Sequence, residues 1–215
     1  MIAGRVPIIP TVLVIAAAAV MVTLGFWQLG RMEEKAALIA QYGANRQLPT
    51  LRNFDAFPTS TPADSLARLD ENLFRTVEVA CDDPREWKGV AGRNANDQSG
   101  YVHMFVCDRM STGSSEGGGS DTKLYATIGW SRSPEQPDWG GGTVTGILST
   151  AGNDYEVFAS EPKAQLEPLA RPDPADLPNN HLAYAGQWFF FALTALVIYW
   201  LALRRRWIEG DSKRR

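Results

Sequence analysis

Two long uncharged runs bracket a chain whose middle alternates between apolar and polar positions. Residues 8–27 read IIPTVLVIAAAAVMVTLGFW, and residues 183–203 read AYAGQWFFFALTALVIYWLAL. About 20 apolar residues, rising 1.5 Å each, cross about 30 Å of hydrocarbon as a helix. Neither run has the polar face that a soluble helix of that length carries. The pattern predicts transmembrane helices over 8–28 and 183–203. The first is expected to stay uncleaved, because its apolar run is longer than a signal-peptide core and no small-residue cleavage site precedes a polar stretch.

The first span continues without a breaker into QLGRMEEKAALIAQY, an amphipathic stretch that predicts helix as far as Tyr42, with Gly43 as a stop. TPADSLARLDENLF predicts a second helix. Thr61 is its N-cap, Pro62 sits at the first helical position, Asp64 takes the capping-box place, and Leu66, Leu69 and Leu73 form the apolar stripe. From Phe74 the period drops to two. FRTVEVAC, GYVHMFVC, KLYATIGW and GGTVTGIL predict strands, separated by Gly- and Ser-rich joints. Residues 108–121 (DRMSTGSSEGGGSD) are expected to form a hairpin loop, and SPEQPDWGGG a second turn region. The proline-punctuated segment 161–178 is expected to run extended back to the second span. The fold class expected is a membrane α+β protein: two transmembrane helices flanking a small antiparallel sheet or barrel with one or two helices.

Charge orients this arrangement. A mean hydropathy of −0.19 and a net charge of −3 average over unlike segments. The tail RRRWIEGDSKRR carries six basic residues, and Lys and Arg are retained on the cytoplasmic side. Residues 1–7 and 204–215 are therefore expected inside, and 29–180 outside. Residues 36–180 carry 20 acidic and 12 basic side chains, which excludes the basic footprint of a nucleic-acid binder. Cys81 and Cys107 each end a strand-like run in the outside region. An oxidising compartment permits their pairing, and two separate buried thiols fit the pattern equally well.

Candidate chemistry gathers at the ends of the two spans. His181, Tyr184, Ala185 and Trp188 recur at helical spacing, as do Leu24, Trp27, Gln28, Arg31 and Lys35. If the helices are neighbours, the two stripes can face each other. An aromatic belt, an N-cap at Asn179 or Asn180, and local ion pairs of Arg31 with Glu33 or Glu34 account for the same residues without a ligand. The ligand reading calls for a molecule that is half apolar and half polar, and haem answers to it. Neutral imidazole ligates iron, flat aromatics flank a macrocycle, and Arg31 can pair with a propionate. His103, the other histidine, reads as a packed or edge residue of its strand or as a second ligand. Gly-x-Ser-x-Gly, His-Glu-x-x-His and a phosphate loop are all missing from the sequence. The acidic residues of the outside region read as solvated surface.

Four stretches resemble the Surfeit locus protein 1 family, the assembly factors of haem-copper cytochrome c oxidase. LGFWQLGRMEEK (24–35) matches its L-G-x-W-Q-x-x-R-x-x-x-K, and NNHLAYAGQWF (179–189) its N-N-H-x-x-Y-A-x-x-W-F. IGWSRSP and QSGYVHMFVC resemble its strand motifs, although Ile128 replaces an Arg, Val106-Cys107 stand near its missing Thr-Pro-Leu, and Gln187 replaces a frequent Thr. The resemblance implies a non-enzymatic chaperone that binds haem a transiently and helps deliver it to oxidase subunit I. It implies His181 as the iron ligand, with Trp27, Gln28, Arg31, Tyr184 and Trp188 shaping the pocket. Haem a synthase is the implied second partner, and a bacterial inner (plasma) membrane with a periplasmic central domain the implied location. The alternative is a cofactor-free scaffold or accessory subunit of the oxidase.

Overall fold

The computed structural model describes residues 6–58, 61–111 and 121–212. It divides into two compact units, residues 1–38 with 178–215, and residues 39–177.

The first unit is a pair of helices. Helix α1 spans Ile8–Asn45, its residues from Ile39 onward belonging to the second unit, and the helix labelled α4 below spans His181–Ser212. Both are long and apolar enough to cross a membrane, as in a two-pass membrane protein, and little of their apolar surface is covered by protein. Ile8, Ile9, Leu193 and Ile198 are among many large side chains left exposed. In hydrocarbon such surfaces carry no penalty.

The second unit is a six-stranded sheet with one side helix. The strands are β1 (Thr76–Cys81), β2 (Arg85–Arg93), β3 (Ser99–Ser111), β4 (Asp121–Ser131), β5 (Gly142–Ala151) and β6 (Asp154–Ala159). Helix α2 (Pro62–Glu71) begins as its sequence predicts. The Thr61 hydroxyl oxygen accepts from the Asp64 amide and donates to the Asp64 carboxylate at 2.7 Å. A single 3-10 turn, α3 (Pro174–Asp176), interrupts the extended return segment. Gly43 does not stop α1, which runs two residues past it to Asn45. Asn45 ends it by donating to the carbonyls of Glu71 and Leu73 at 2.8 and 2.9 Å.

The strand order is β1-β5-β6-β4-β3-β2. Four of the pairings are antiparallel as expected, whereas β4 and β6 run parallel, because the β5–β6 hairpin inserts between β1 and β4. The sheet does not close by hydrogen bonds, but it curls. Three strands separate β1 from β3, which in a flat sheet places them about 19 Å apart. Yet the Cα atoms of Cys81 and Cys107 are 4.7 Å apart and their sulfurs are bonded. Cys107 lies where the β3–β4 register shifts between Val106 and Asp108, the kind of irregularity that bends and twists a strand. Of the two readings of the cysteines, the structure has the disulfide, and it bridges the gap left by the missing ladder.

The concave side holds the main core. Val77, Val79 and Cys81 alternate into it from β1, meeting Phe105, Leu124, Val157, and Leu69 of α2. The opposite face carries a smaller cluster of Met104, Val106 and Tyr125. One expectation fails here: Glu156 is buried on β6 rather than solvated. Its carboxylate accepts from the Thr127 hydroxyl at 2.7 Å, and burial pushes its pKa up to about 7. The expected loop around residues 112–120 lies outside the described residues. Its flanks, Asp108–Ser111 and Asp121, are strand.

Candidate functional site

The helix pair is organised by a repeat that the apolar runs conceal. On α1 the positions at least partly covered include Thr11, Val14, Ala18, Met21, Gly25, Gln28, Met32 and Lys35, alternating by four and three. On α4 they include His181, Ala185, Trp188, Ala192, Ala195 and Tyr199. A period of 3.5 residues is that of a left-handed coiled pair. Small residues line its closest parts: Ala18, Gly25, Ala185 and Ala192 are buried. The pair is antiparallel, since Thr11 meets Tyr199, Phe26 meets Phe189, Gln28 meets His181, and Met32 meets Asn179.

Gly25 sets the spacing. A Cβ there would lie 2.5 Å from the Phe189 ring. A Gly25→Leu substitution is therefore expected to part the helices, at the 1–3 kcal/mol typical of overpacking. The check is thiol cross-linking by a short bifunctional reagent in a protein carrying Ala18→Cys and Ala192→Cys. Adding Gly25→Leu should cut the yield several-fold, and an unchanged yield contradicts the tight seam.

The His181 end of the seam is polar. The His181 Nδ1–H donates to the Gln28 carbonyl oxygen at 2.7 Å. In a neutral ring, that bond places the proton on Nδ1 and the lone pair on Nε2. One turn away in space, the Asn179 amide donates to the Met32 carbonyl at 3.2 Å, and its own Oδ1 is buried without a hydrogen-bond partner among the described residues. Asn180 occupies the helix start, where its carbonyl accepts from the Ala183 and Tyr184 amides.

The two sequence stripes therefore split. Gln28, Lys35, His181, Ala185 and Trp188 lie on the seam. Trp27 and Tyr184 are 56% and 50% exposed, and Arg31 is exposed and paired with Glu34. In the heptad frame Leu24, Trp27, Arg31 and Tyr184 fall on one flank of the pair, and Phe26 and Phe189 on the other. His181 and Gln28 are brought into direct contact. Trp27, Tyr184 and Arg31 flank them without touching them through any hydrogen bond. The arrangement offers an imidazole nitrogen, an orienting amide and an exposed aromatic flank, from which a metal ligand and apolar contact for a flat group can be drawn.

His103 is not part of such a set. It is fully buried. Trp87 Nε1 donates to its Nδ1 at 3.4 Å, and its Nε2 donates to Ser131 Oγ at 2.8 Å, whose own proton goes to the Ser133 carbonyl. Both ring nitrogens are occupied, and burial holds its pKa below the ordinary histidine value. Sequence reasoning missed the buried Glu156 and its neighbour Lys88. The only signal is an acid inside the otherwise apolar run YEVFA.

The model of the SURF1 family matches residues 15–193, which includes both stripes and the whole strand-rich unit. No curated protein matches the chain.

Proposed function

Because the chain belongs to the SURF1 family, which is associated with cytochrome c oxidase assembly, we propose that it is a membrane-held assembly factor that carries haem a toward oxidase subunit I, with His181 as the axial ligand. The observation that carries this reading is the 2.7 Å bond from His181 Nδ1–H to Gln28, which aims a free Nε2 lone pair away from the orienting amide. Metal-ligating histidines are held in this way by a carbonyl on the second nitrogen. Bound haem supplies an iron that accepts a nitrogen ligand and a large apolar ring with acidic edges. Trp27 and Tyr184 provide apolar contact on the exposed flank, Trp188 extends the seam two turns beyond His181, and Arg31 exchanges Glu34 for a propionate. The protein binds and hands over; it catalyses no step. Its source of haem a is the synthase.

The location follows from charge and redox state. Six basic residues in the tail favour cytoplasmic termini, and the Cys81–Cys107 disulfide favours an oxidising compartment for the domain between the spans. In a bacterial cell this is the inner membrane, with the central domain periplasmic.

The second reading is a cofactor-free scaffold, favoured by the unpartnered aromatic surface of α4, where Phe190 and Phe191 are 63% and 51% exposed. One experiment divides the two. The protein is co-expressed with a haem a synthase and purified in detergent, and visible spectra are recorded for wild type, His181→Ala and Gln28→Leu. Stoichiometric haem a is expected in the wild type, none in His181→Ala, and an affinity 10–100-fold weaker in Gln28→Leu. A colourless wild type that still co-purifies with oxidase subunits sinks the carrier and leaves the scaffold.

A further inference from the structure

The convex face of the sheet has a feature that haem carriage does not use. Sheet faces as apolar as this one are ordinarily covered by a second layer. Here a cavity of about 510 Å³ opens over the smaller apolar cluster, between β2, β6 and the return segment at Leu169–Ala170. That volume is ordinary for a small-molecule site. Its walls include Val102, Met104 and Phe158.

Three polar groups converge on it. Lys88 Nζ donates to the Tyr125 hydroxyl at 2.6 Å and sits 4.6 Å from the centre of that ring. An ammonium has three N–H donors, and the neutral phenol takes one. Among the described residues, Lys88 has no ion pair. Glu156 lines the same cavity at 9% exposure. Its pKa, raised by burial to about 7, leaves a large part of it protonated near neutrality, so it neutralises the lysine only in part. The lining carries two other charged side chains. Arg93 pairs with Asp97, and Asp154 accepts from the Lys123 amide. The linings from β3, β5 and the return segment are apolar.

An apolar cavity with one partly compensated cation and one protonatable acid favours a ligand with an anionic head and a hydrocarbon body. We propose that it binds an amphiphilic monocarboxylate, its head at the Lys88 ammonium and Tyr125 hydroxyl and its chain along Val102, Met104 and Phe158. Protonated Glu156 can donate to such a head. Ionised, it repels it. Binding therefore weakens as pH rises through about 7.

The probe is octanoate labelled with carbon-13 at the carboxyl, titrated by NMR into the full chain in lipid nanodiscs, with empty nanodiscs as background. Saturable binding is expected, several-fold tighter at pH 6 than at pH 8. Lys88→Met and the cavity-filling Val102→Trp should each weaken it at least tenfold. Glu156→Gln should keep binding and remove its pH dependence. An intact Cys81–Cys107 disulfide and an unchanged near-ultraviolet circular dichroism spectrum confirm that each variant is folded. Binding equal to that of empty nanodiscs, or unchanged in Lys88→Met, overturns the site. Preference for octylamine over octanoate overturns the anionic head. The result is independent of the haem spectrum, so either reading can fail alone.

Discussion

Reduction of the Cys81–Cys107 disulfide is expected to destabilise the strand-rich unit by about 3.5 kcal/mol. The bridge closes a loop with a sequence separation of 26, and the chain-entropy relation for a loop of that length gives this magnitude. Core side chains of β1 and β3 meet across the gap, but the disulfide is the covalent link there. No hydrogen-bonded ladder joins β1 to β3 in the described residues, so cutting the bond frees the sheet to uncurl along that line. Urea unfolding of the full chain in mild detergent, followed by tryptophan emission, measures it. Trp87, Trp130 and Trp139 all report on this unit. Dithiothreitol and the double variant Cys81→Ala/Cys107→Ala should shift the transition alike. A midpoint indifferent to both contradicts a stapling role.

Glu156→Gln is expected to stabilise the protein at pH 8 by about 3 kcal/mol and to change little at pH 4.5. The folded state holds the Glu156 proton up to about pH 7, whereas the unfolded chain releases it near 4.5. The folded form therefore carries more bound proton between these values, and stability falls as pH rises through that window and levels off above it. A proton affinity raised from 4.5 to about 7 corresponds to about 3 kcal/mol. Glutamine keeps the acceptor for Thr127 and removes the titration. Other groups tilt the wild-type curve. Asp108, raised by burial, adds to the trend, and His103, held neutral by burial, opposes it below its ordinary value of 6.5. The difference between wild-type and variant curves isolates Glu156. Parallel curves from pH 4.5 to 8 count against its buried titration.

These effects come from parts of the molecule that the pattern of residues conveys unequally. The spans, α2 with its Thr61 cap, and strands β1, β3, β4 and β5 were legible because each has a clear period and clear ends. Strand β2 was not. It is an edge strand, exposed along most of its length, so REWKGVAGR shows no alternation. Strand β6 was hidden for a different reason: it is largely buried, and after Asp154 and Glu156 the alternation of DYEVFA ends in the apolar Val157-Phe158-Ala159. Its parallel pairing with β4 depends on a long-range insertion that no local pattern encodes. At the candidate site, the contact between His181 and Gln28 was foreshadowed by two stripes at helical spacing. Those stripes were wider than the seam that forms. A coiled pair selects a 3.5-residue period, which keeps Gln28 and Trp188 and turns Trp27, Arg31 and Tyr184 to the flank. In runs where nearly every residue is apolar, only the small size of Ala18, Gly25, Ala185 and Ala192 marks that period.

The place of β1 in the sheet has a consequence for the order of events during synthesis. β1 is the first strand made, but its ladder partner is β5. The β2–β3–β4 meander can assemble as soon as it is made, whereas β1 must wait for the β5–β6 hairpin. Until then its inner edge is unpaired, and the segment at Leu51–Phe54, which exchanges backbone bonds with Thr76 and Glu78, can occupy the other edge. Nonlocal closures of this kind are slow and expose sticky edges while they wait. The newborn domain therefore passes through a period in which its first strand is a docking edge for other chains, and pairing of Cys81 with Cys107, both made before β5, can tie β1 to the meander while that period lasts.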